Sequence, residues 1–169
     1  MELIIFTQIM CLTLSEPDFY LNKKRHKNVC QFAGQVYKES KKNNIDPILL
    51  MAVIYRESGW KKTVVSPAGA CGLTQVIPKY TGKYSPVKKK YSCKQLKNPK
   101  ISISAGARIL KWWIKYHKGD VRRGLCGYSS GFRCKGKRPL KAGMRYADRV
   151  LKTKRKITAR ANRIKDKNF

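Results

Sequence analysis

Glu57 follows directly on a run of apolar residues, Ile48, Leu49, Leu50, Met51, Ala52, Val53, Ile54 and Tyr55, broken only by Arg56. That placement gives its carboxyl a chemistry. Burial disfavours the charged form of a carboxylic acid and raises its pKa toward the range in which it donates a proton at neutral pH. A glycosidic oxygen needs such a donor in order to leave. A glutamate at a helix end is ordinarily a solvated surface group, so the residues around it must decide.

The surroundings are specific. Glu57, Ser58, Gly59 and Trp60 are followed by Ser66, Pro67, Ala68, Gly69, Ala70, Cys71, Gly72, Leu73, Thr74, Gln75, Val76, Ile77 and Pro78. Asn98 and Pro99 then lead into Ala105, Gly106, Ala107 and Leu110, and Gly127, Tyr128, Ser129, Ser130 and Gly131 form a further block. Tyr146, Ala147, Arg149, Val150 and Leu151 close the series. In this order, across residues 46 to 151, the blocks resemble the soluble lytic transglycosylase (SLT) family of the lysozyme-like superfamily. Its signature is a Glu-Ser pair, then Gly-Leu-Met-Gln and a proline, an Asn-Pro helix, an Ala-Tyr-Asn-x-Gly turn and a closing tyrosine helix.

The resemblance implies a lytic transglycosylase that degrades peptidoglycan, cleaving the β-1,4 bond between N-acetylmuramic acid and N-acetylglucosamine. Glu57 would protonate the leaving oxygen and then accept the proton of the sugar's own 6-hydroxyl, giving a 1,6-anhydromuramyl end. One carboxyl would serve both steps, unlike the paired acids of ordinary glycosidases. Asp46, Asp120 and Asp148 fall at predicted caps or on a helix exterior, where none is a convincing partner. No cofactor and no metal is implied.

The same resemblance assigns Ser58 to orienting the acid or to binding acetamido and peptide groups. It puts Gln75 in the glycan groove with Gly72 and Leu73, and Ser129 in the tyrosine turn. An amide such as that of Gln75 both donates to and accepts from sugar hydroxyls, and Gly72 allows a close backbone approach or a positive φ. Tyr128 would bring its hydroxyl to the Glu57 carboxyl, a role that also fits Tyr146. Trp60, Trp112 and Tyr80 offer sugar-stacking faces, whereas Trp113 lies on an inward stripe and reads as core. His26 and His117 have no partner signal and read as surface residues.

Three positions depart from the family pattern. Thr74 replaces its Met, Ser129 its Asn, and Ala142 or a neighbour stands where an acid precedes the final tyrosine. The first makes one groove wall less apolar, and the second shortens a hydrogen-bonding side chain. A hydrolytic lysozyme of the goose-type branch, which activates water with the same single glutamate, therefore stays open.

The elements that must position these residues are helical. Val29, Phe32, Ala33, Val36 and Tyr37 recur at helical spacing, which predicts a helix over 28–43. Asp46 as N-cap and Pro47 as first residue open a buried helix that ends at Glu57. Gly, Pro, Ser and Thr predict loops and short turns from Gly59 to Ser92. Asn98 and Pro99 start a helix that runs to about His117, Asp120 caps another into Tyr128, and a last one runs from about Pro139. The fold class is mainly α, a lysozyme-like single domain. Its expected parts are an N-terminal apolar segment and basic linker (1–27), the catalytic domain (28–151) and a basic C-terminal tail (152–169). The apolar stretch from Leu3 to Leu14 is shorter than the roughly 20 residues a membrane span requires. It reads either as a secretory signal or as a strand or helix packed on the domain.

With 39 Lys and Arg against 9 Asp and Glu, the formal net charge of +30 covers nearly the whole surface with positive potential. Polyanions are the expected partners: bacterial peptidoglycan first, anionic envelope surfaces through the basic face and tail, and nucleic acid second. A nucleic-acid-binding protein on a lysozyme-like fold is thus a competing reading, as is a module that only binds wall glycan. The expected site of action is the cell wall, in the periplasm or outside the cell. The small size and basic charge resemble phage-encoded wall-degrading enzymes, and a monomer is expected. Six cysteines without a CxxC pair point away from zinc and toward one or two disulfides, Cys126 with Cys134 closing the shortest loop.

Overall fold

The computed structural model of the protein describes residues 2–168. Among these residues there are seven helices: α1 (Leu3–Ser15), α2 (Lys23–Lys42), α3 (Pro47–Ser58), α4 (Cys93–Leu96), α5 (Pro99–Tyr116), α6 (Val121–Ser130) and α7 (Lys141–Asn168). Short 3-10 turns lie at Pro17–Phe19, Pro78–Tyr80 and Gly131–Cys134. Among the described residues, β pairing is confined to the isolated bridges Val65–Cys71 and Cys71–Val76.

Helix α3 is the axis of the fold. Leu49, Leu50, Met51, Ala52, Val53 and Ile54 are all buried, so no face of its middle meets water. Its start is fixed locally: the Asp46 carboxylate accepts from the Ile48 and Leu49 amides at 2.8 and 3.3 Å, and Pro47 takes the first turn. Gly59 ends it in the left-handed region, its amide donating to the Tyr55 carbonyl. Helices α2 and α7 pack on it.

Helix α5 separates the main core from a smaller one. Ile103, Ala107 and Leu110 join the α3 cluster, while Ala105 packs with Cys71, Val76, Val87 and Leu96 beneath the 59–92 loops. The Cys71–Cys93 disulfide ties those loops to α4.

The two ends of the chain cover each other. Residues 3–15 form α1, which packs on α2 and α7 through Phe6, Ile9, Met10 and Leu14 and is joined to α2 by the Cys11–Cys30 disulfide. Among the described residues no helix is long and apolar enough to cross a membrane. The last helix does not dissolve after Leu151 but continues to Asn168. Thr153, Ile157, Ala161 and Ile164 recur at three- and four-residue spacing and are buried, which holds the helix on the body while its Lys and Arg side chains point outward. Helix α2 likewise begins earlier than the apolar pattern suggests, at Lys23, because Asn22 caps the Arg25 amide.

Three disulfides form, Cys126–Cys134 among them. The reading of His26 as a surface residue without a partner needs correction. His26 Nε2 lies 3.5 Å from Cys30 Sγ one turn along α2 and donates across to the Cys11 carbonyl on α1 at 2.9 Å. His117 is not a free surface residue either, for it is half-buried and stacks on Trp113.

Because Ile157 is fully buried, Ile157→Ala is expected to lower the unfolding free energy by about 2–5 kcal/mol. Arg163→Ala, on the exposed face of the same helix, should stay within about 0.5 kcal/mol of the parent. Urea unfolding of both variants measures the difference, and equal stabilities would mean that the last turns of α7 do not belong to the folded core.

Candidate active site

Glu57 occupies the last turn of α3, one residue before its end, where the side chain leaves the apolar core without reaching open solvent. Tyr146 on α7 donates its hydroxyl hydrogen to Glu57 Oε1 at 2.5 Å. Burial pushes the Glu57 carboxyl up to about 7, against the Tyr146 hydrogen bond and the neighbouring Arg56 charge, which both pull it down. With Oε1 accepting from Tyr146, Oε2 is the oxygen left to carry the proton. The group is a weak acid poised to give up a hydrogen near neutral pH.

The two tyrosines divide the roles the sequence left shared. Tyr146 holds the carboxyl, whereas Tyr128 on α6 donates to the backbone carbonyl of Thr74 at 2.7 Å. Both phenols are held well above their ordinary range, first by burial and then by the nearby Glu57 charge, so both remain donors. Tyr128 therefore fixes the 64–75 loop beside the acid and does not itself hold the acid.

Thr74 explains the first departure from the family pattern. It is fully buried, its hydroxyl donates to the Ser102 carbonyl at 2.7 Å, and its amide donates to Ser102 Oγ at 3.1 Å. A Cβ on Gly106 would collide with the Thr74 side chain, so the small pair lets loop and helix approach closely. The threonine hydroxyl faces α5 and changes no groove wall. Gly72 has φ +76°, and a Cβ there would run into the Leu96 carbonyl oxygen, so both a positive φ and a close approach require glycine.

Other residues named from the sequence are engaged elsewhere. Leu73 and Trp60 are completely buried in the core and offer no face to a ligand. Trp60 belongs to the main core cluster, its indole N–H is buried without a partner among the described residues, and its carbonyl accepts from Asn28 at 2.8 Å. Ser58 Oγ donates back to the Ile54 carbonyl at 3.1 Å, and Gln75 Nε2 donates to the carbonyls of Gly72 and Val64 at 2.9 and 3.3 Å. Gln75 thus staples the loop, leaving its carbonyl oxygen as the group able to meet a ligand. Ser129 is exposed, its hydroxyl 3.4 Å from that of Ser130.

Trp113 is core, while half-buried Trp112 stacks on Tyr116 at 5.3 Å and meets exposed Phe132 edge-on at 6.1 Å. Tyr116 and Phe132 were not legible as members of an aromatic group, although Tyr116 lies one helical turn after Trp112. Tyr80 is exposed. Asp46, Asp120 and Asp148 lie away from Glu57: the first two cap helices and the third pairs with Arg122 at 2.7 Å. Arg56, which the sequence did not single out, adjoins the acid and acts on its charge.

A helical domain that buries one carboxyl between two helix-borne tyrosines belongs to the lysozyme-like class. The family model of the transglycosylase SLT domain matches residues 35–149, and the chain belongs to that family. An endo-type membrane-bound lytic murein transglycosylase A from Klebsiella pneumoniae is 41% identical over 70 residues, covering 39% of this chain and 34% of that protein. A membrane-bound lytic murein transglycosylase C from Sodalis glossinidius is 30% identical over 122 residues, covering 68% of this chain and 32% of that protein. The chain thus spans about a third of the length of these curated relatives. Among solved structures, an inactive mutant of the lytic transglycosylase Slt from Pseudomonas aeruginosa shares the fold, with a TM-score of 0.65 at 20% identity, over 76% of this chain and 24% of that one.

Since the Tyr146 hydrogen bond favours the carboxylate, Tyr146→Phe is expected to move the Glu57 titration midpoint above its value of about 7. Carbon-13 NMR of the labelled carboxyl reads that midpoint directly. A midpoint that stays put or falls would mean that the phenol does not stabilise the charged form.

Proposed function

We propose that the protein is a peptidoglycan lytic transglycosylase with Glu57 as its single general acid and base. The observation that carries this reading is a half-buried carboxyl with a pKa near 7, held through one oxygen by Tyr146 and free at the other. Oε2 gives its proton to the glycosidic oxygen as the bond from muramic acid C1 breaks, and the carboxylate left behind faces the positive charge developing at C1. The sugar's 6-hydroxyl oxygen then bonds to C1 and its proton returns to Glu57. The acid is regenerated and the product ends in a 1,6-anhydro ring. Family membership supports the substrate class, and the position of the acid supports the chemistry.

The remaining residues support the acid and bind substrate. Tyr146 positions Glu57. Tyr128, Thr74, Gly72 and Gln75 shape the loop beside it, with the Gln75 carbonyl oxygen, Ser58 and Ser129 at its edges as the groups that meet glycan. The site of action on this reading is the cell wall. The basic surface concentrates the enzyme on an anionic envelope, and nucleic acid is a secondary partner by the same charge.

Glu57→Gln is expected to lower the release of 1,6-anhydromuropeptides from purified sacculi by about 10²–10⁴-fold, the usual contribution of a general acid. Mass spectrometry of the released fragments makes the measurement. Reducing ends in place of anhydro ends would move the protein to the hydrolytic lysozymes, and equal release by wild type and variant would remove Glu57 from the mechanism. The same substitution has a sign in stability. Between about 4.5 and about 7 the folded chain keeps a proton that the unfolded chain has lost, so the wild type loses stability as pH rises through that window. The glutamine variant should therefore melt higher than wild type at pH 8 and no higher at pH 4.

Cleavage of sacculi should also fall by about tenfold or more as salt is raised from dilute buffer to half-molar, because screening removes the attraction of a +30 surface for an anionic envelope. Rates that ignore salt would mean that the charge plays no part in capture.

A further inference from the structure

The Cys11–Cys30 disulfide between α1 and α2 differs from the other two in having a third ligand-bearing side chain beside it. His26 Nε2 lies 3.5 Å from Cys30 Sγ and 3.8 Å from Cys11 Sγ, and all three residues are partly exposed. Among the described residues, no other three side chains of His, Cys, Asp or Glu bring their ligand atoms within 4.8 Å of one another. His26 and Cys30 stand four residues apart on α2, which puts them on one face, and Cys11 meets them from α1. Two helices thus deliver one nitrogen and two sulfurs to a single point.

The spacing suits a tetrahedral ion. Zinc binds thiolate sulfur at ~2.3 Å and imidazole nitrogen at ~2.0 Å, so around a tetrahedral centre sulfur and nitrogen stand ~3.5 Å apart and two sulfurs ~3.8 Å apart. The two nitrogen–sulfur distances, 3.5 and 3.8 Å, already meet the first requirement. The second is met once the disulfide is open, because two sulfurs that share no bond separate to van der Waals contact. Charge balances as well: two thiols lose two protons as one Zn²⁺ enters, so a chain of net charge +30 gains no further charge. His26 exchanges its Nε2 hydrogen bond to the Cys11 carbonyl for the ion, its proton then residing on Nδ1. Water takes the fourth position, as in other zinc sites built from two cysteines and one histidine.

We infer that Cys11, His26 and Cys30 form a zinc site in the reduced chain, in exchange with the disulfide of the oxidised one. An external dithiol opens the bond: it becomes a disulfide itself, and its two electrons and two protons pass to Cys11 and Cys30. Zinc then displaces those protons. Helix α1 carries no charged residue and buries Phe6, Ile9, Met10 and Leu14, so a tie that survives reduction keeps that apolar face covered where a disulfide does not persist. The ion also occupies two thiols that would otherwise pair wrongly with Cys71, Cys93, Cys126 or Cys134. Oxidation releases the ion and restores the covalent tie. None of this depends on the chemistry proposed for Glu57.

The test uses Co²⁺ as probe, since a tetrahedral centre with thiolate ligands gives it strong visible and charge-transfer bands that zinc lacks. The full chain is reduced with a phosphine, which adds no competing thiol, and titrated without oxygen. One Co²⁺ per chain is expected, with thiolate bands that an equivalent of Zn²⁺ abolishes, and the oxidised chain should show none. His26→Gln should weaken binding by more than the roughly 100-fold that loss of a residue merely hydrogen-bonded to a ligand costs. His26→Cys, which supplies a third thiolate, should restore it. Reduced Cys11→Ser/Cys30→Ser keeps the other four cysteines, so undiminished bands in that variant would place the metal elsewhere and overturn the site. Failure of the reduced wild type to bind, folded or not by circular dichroism, would overturn it, as would equal binding by His26→Gln or by the oxidised chain.

Discussion

The structure depends on the burial of one carboxyl. Helix α3 is apolar on every face of its middle and ends abruptly at Gly59, so the side chain one position before its last residue cannot escape fully to water. The rest of the site answers the cost of that position. Tyr146 supplies one hydrogen bond, Tyr128 holds the adjoining loop through the Thr74 carbonyl, and α5 and α6 exist at these angles because small residues let them approach the loop and each other.

The charge of the molecule works against this acid. A net charge of +30 favours ionised carboxylates everywhere, and Arg56 next door does so most directly. Glu57 nevertheless keeps its proton to about pH 7, because desolvation outweighs the positive charges whose fields reach it. Exposed charges farther away than a Debye length, about 8 Å at physiological salt, are largely screened. Apart from Arg56, the acid and the basic coat therefore act separately: on the proposed function one serves the chemistry and the other the capture of an anionic surface.

What was legible in the sequence was what local signals encode. Asp46, Pro47 and the apolar run specify α3 within a dozen residues, and Asn98 and Pro99 do the same for α5. The buried glutamate could be read from that run only together with the Gly-Leu-x-Gln and tyrosine blocks around it. The division of labour between Tyr128 and Tyr146 could not, because it depends on how α6 and α7 are rotated against α3, a property of tertiary packing. The inward turn of Thr74 depends likewise on Ser102 and Gly106, far along the chain. The end of α7 was hidden for a different reason. Thr153, Ile157, Ala161 and Ile164 keep helical spacing, but dense Lys and Arg between them resemble a solvated tail unless α1 is known to lie against them.

A site that uses one carboxyl twice places a stricter demand on rigidity than a site with two. In the proposed mechanism the same Oε2 gives a proton and takes one back, so the sugar may rearrange but the acid must stay. Tyr146 can hold Glu57 only if α7 itself is held. Its ion pairs, Lys154 with Asp46 at 2.7 Å and Arg160 with Asp18 at 3.1 Å, are partly exposed and weak by that measure. The stronger hold comes from Ala147, Val150 and Ile157, buried in the same core as α3. The packing that makes α7 a helix beyond the tyrosine therefore fixes the tyrosine at the acid. The exposed basic residues of the same helix, Arg149, Lys152 and Arg163 among them, face outward.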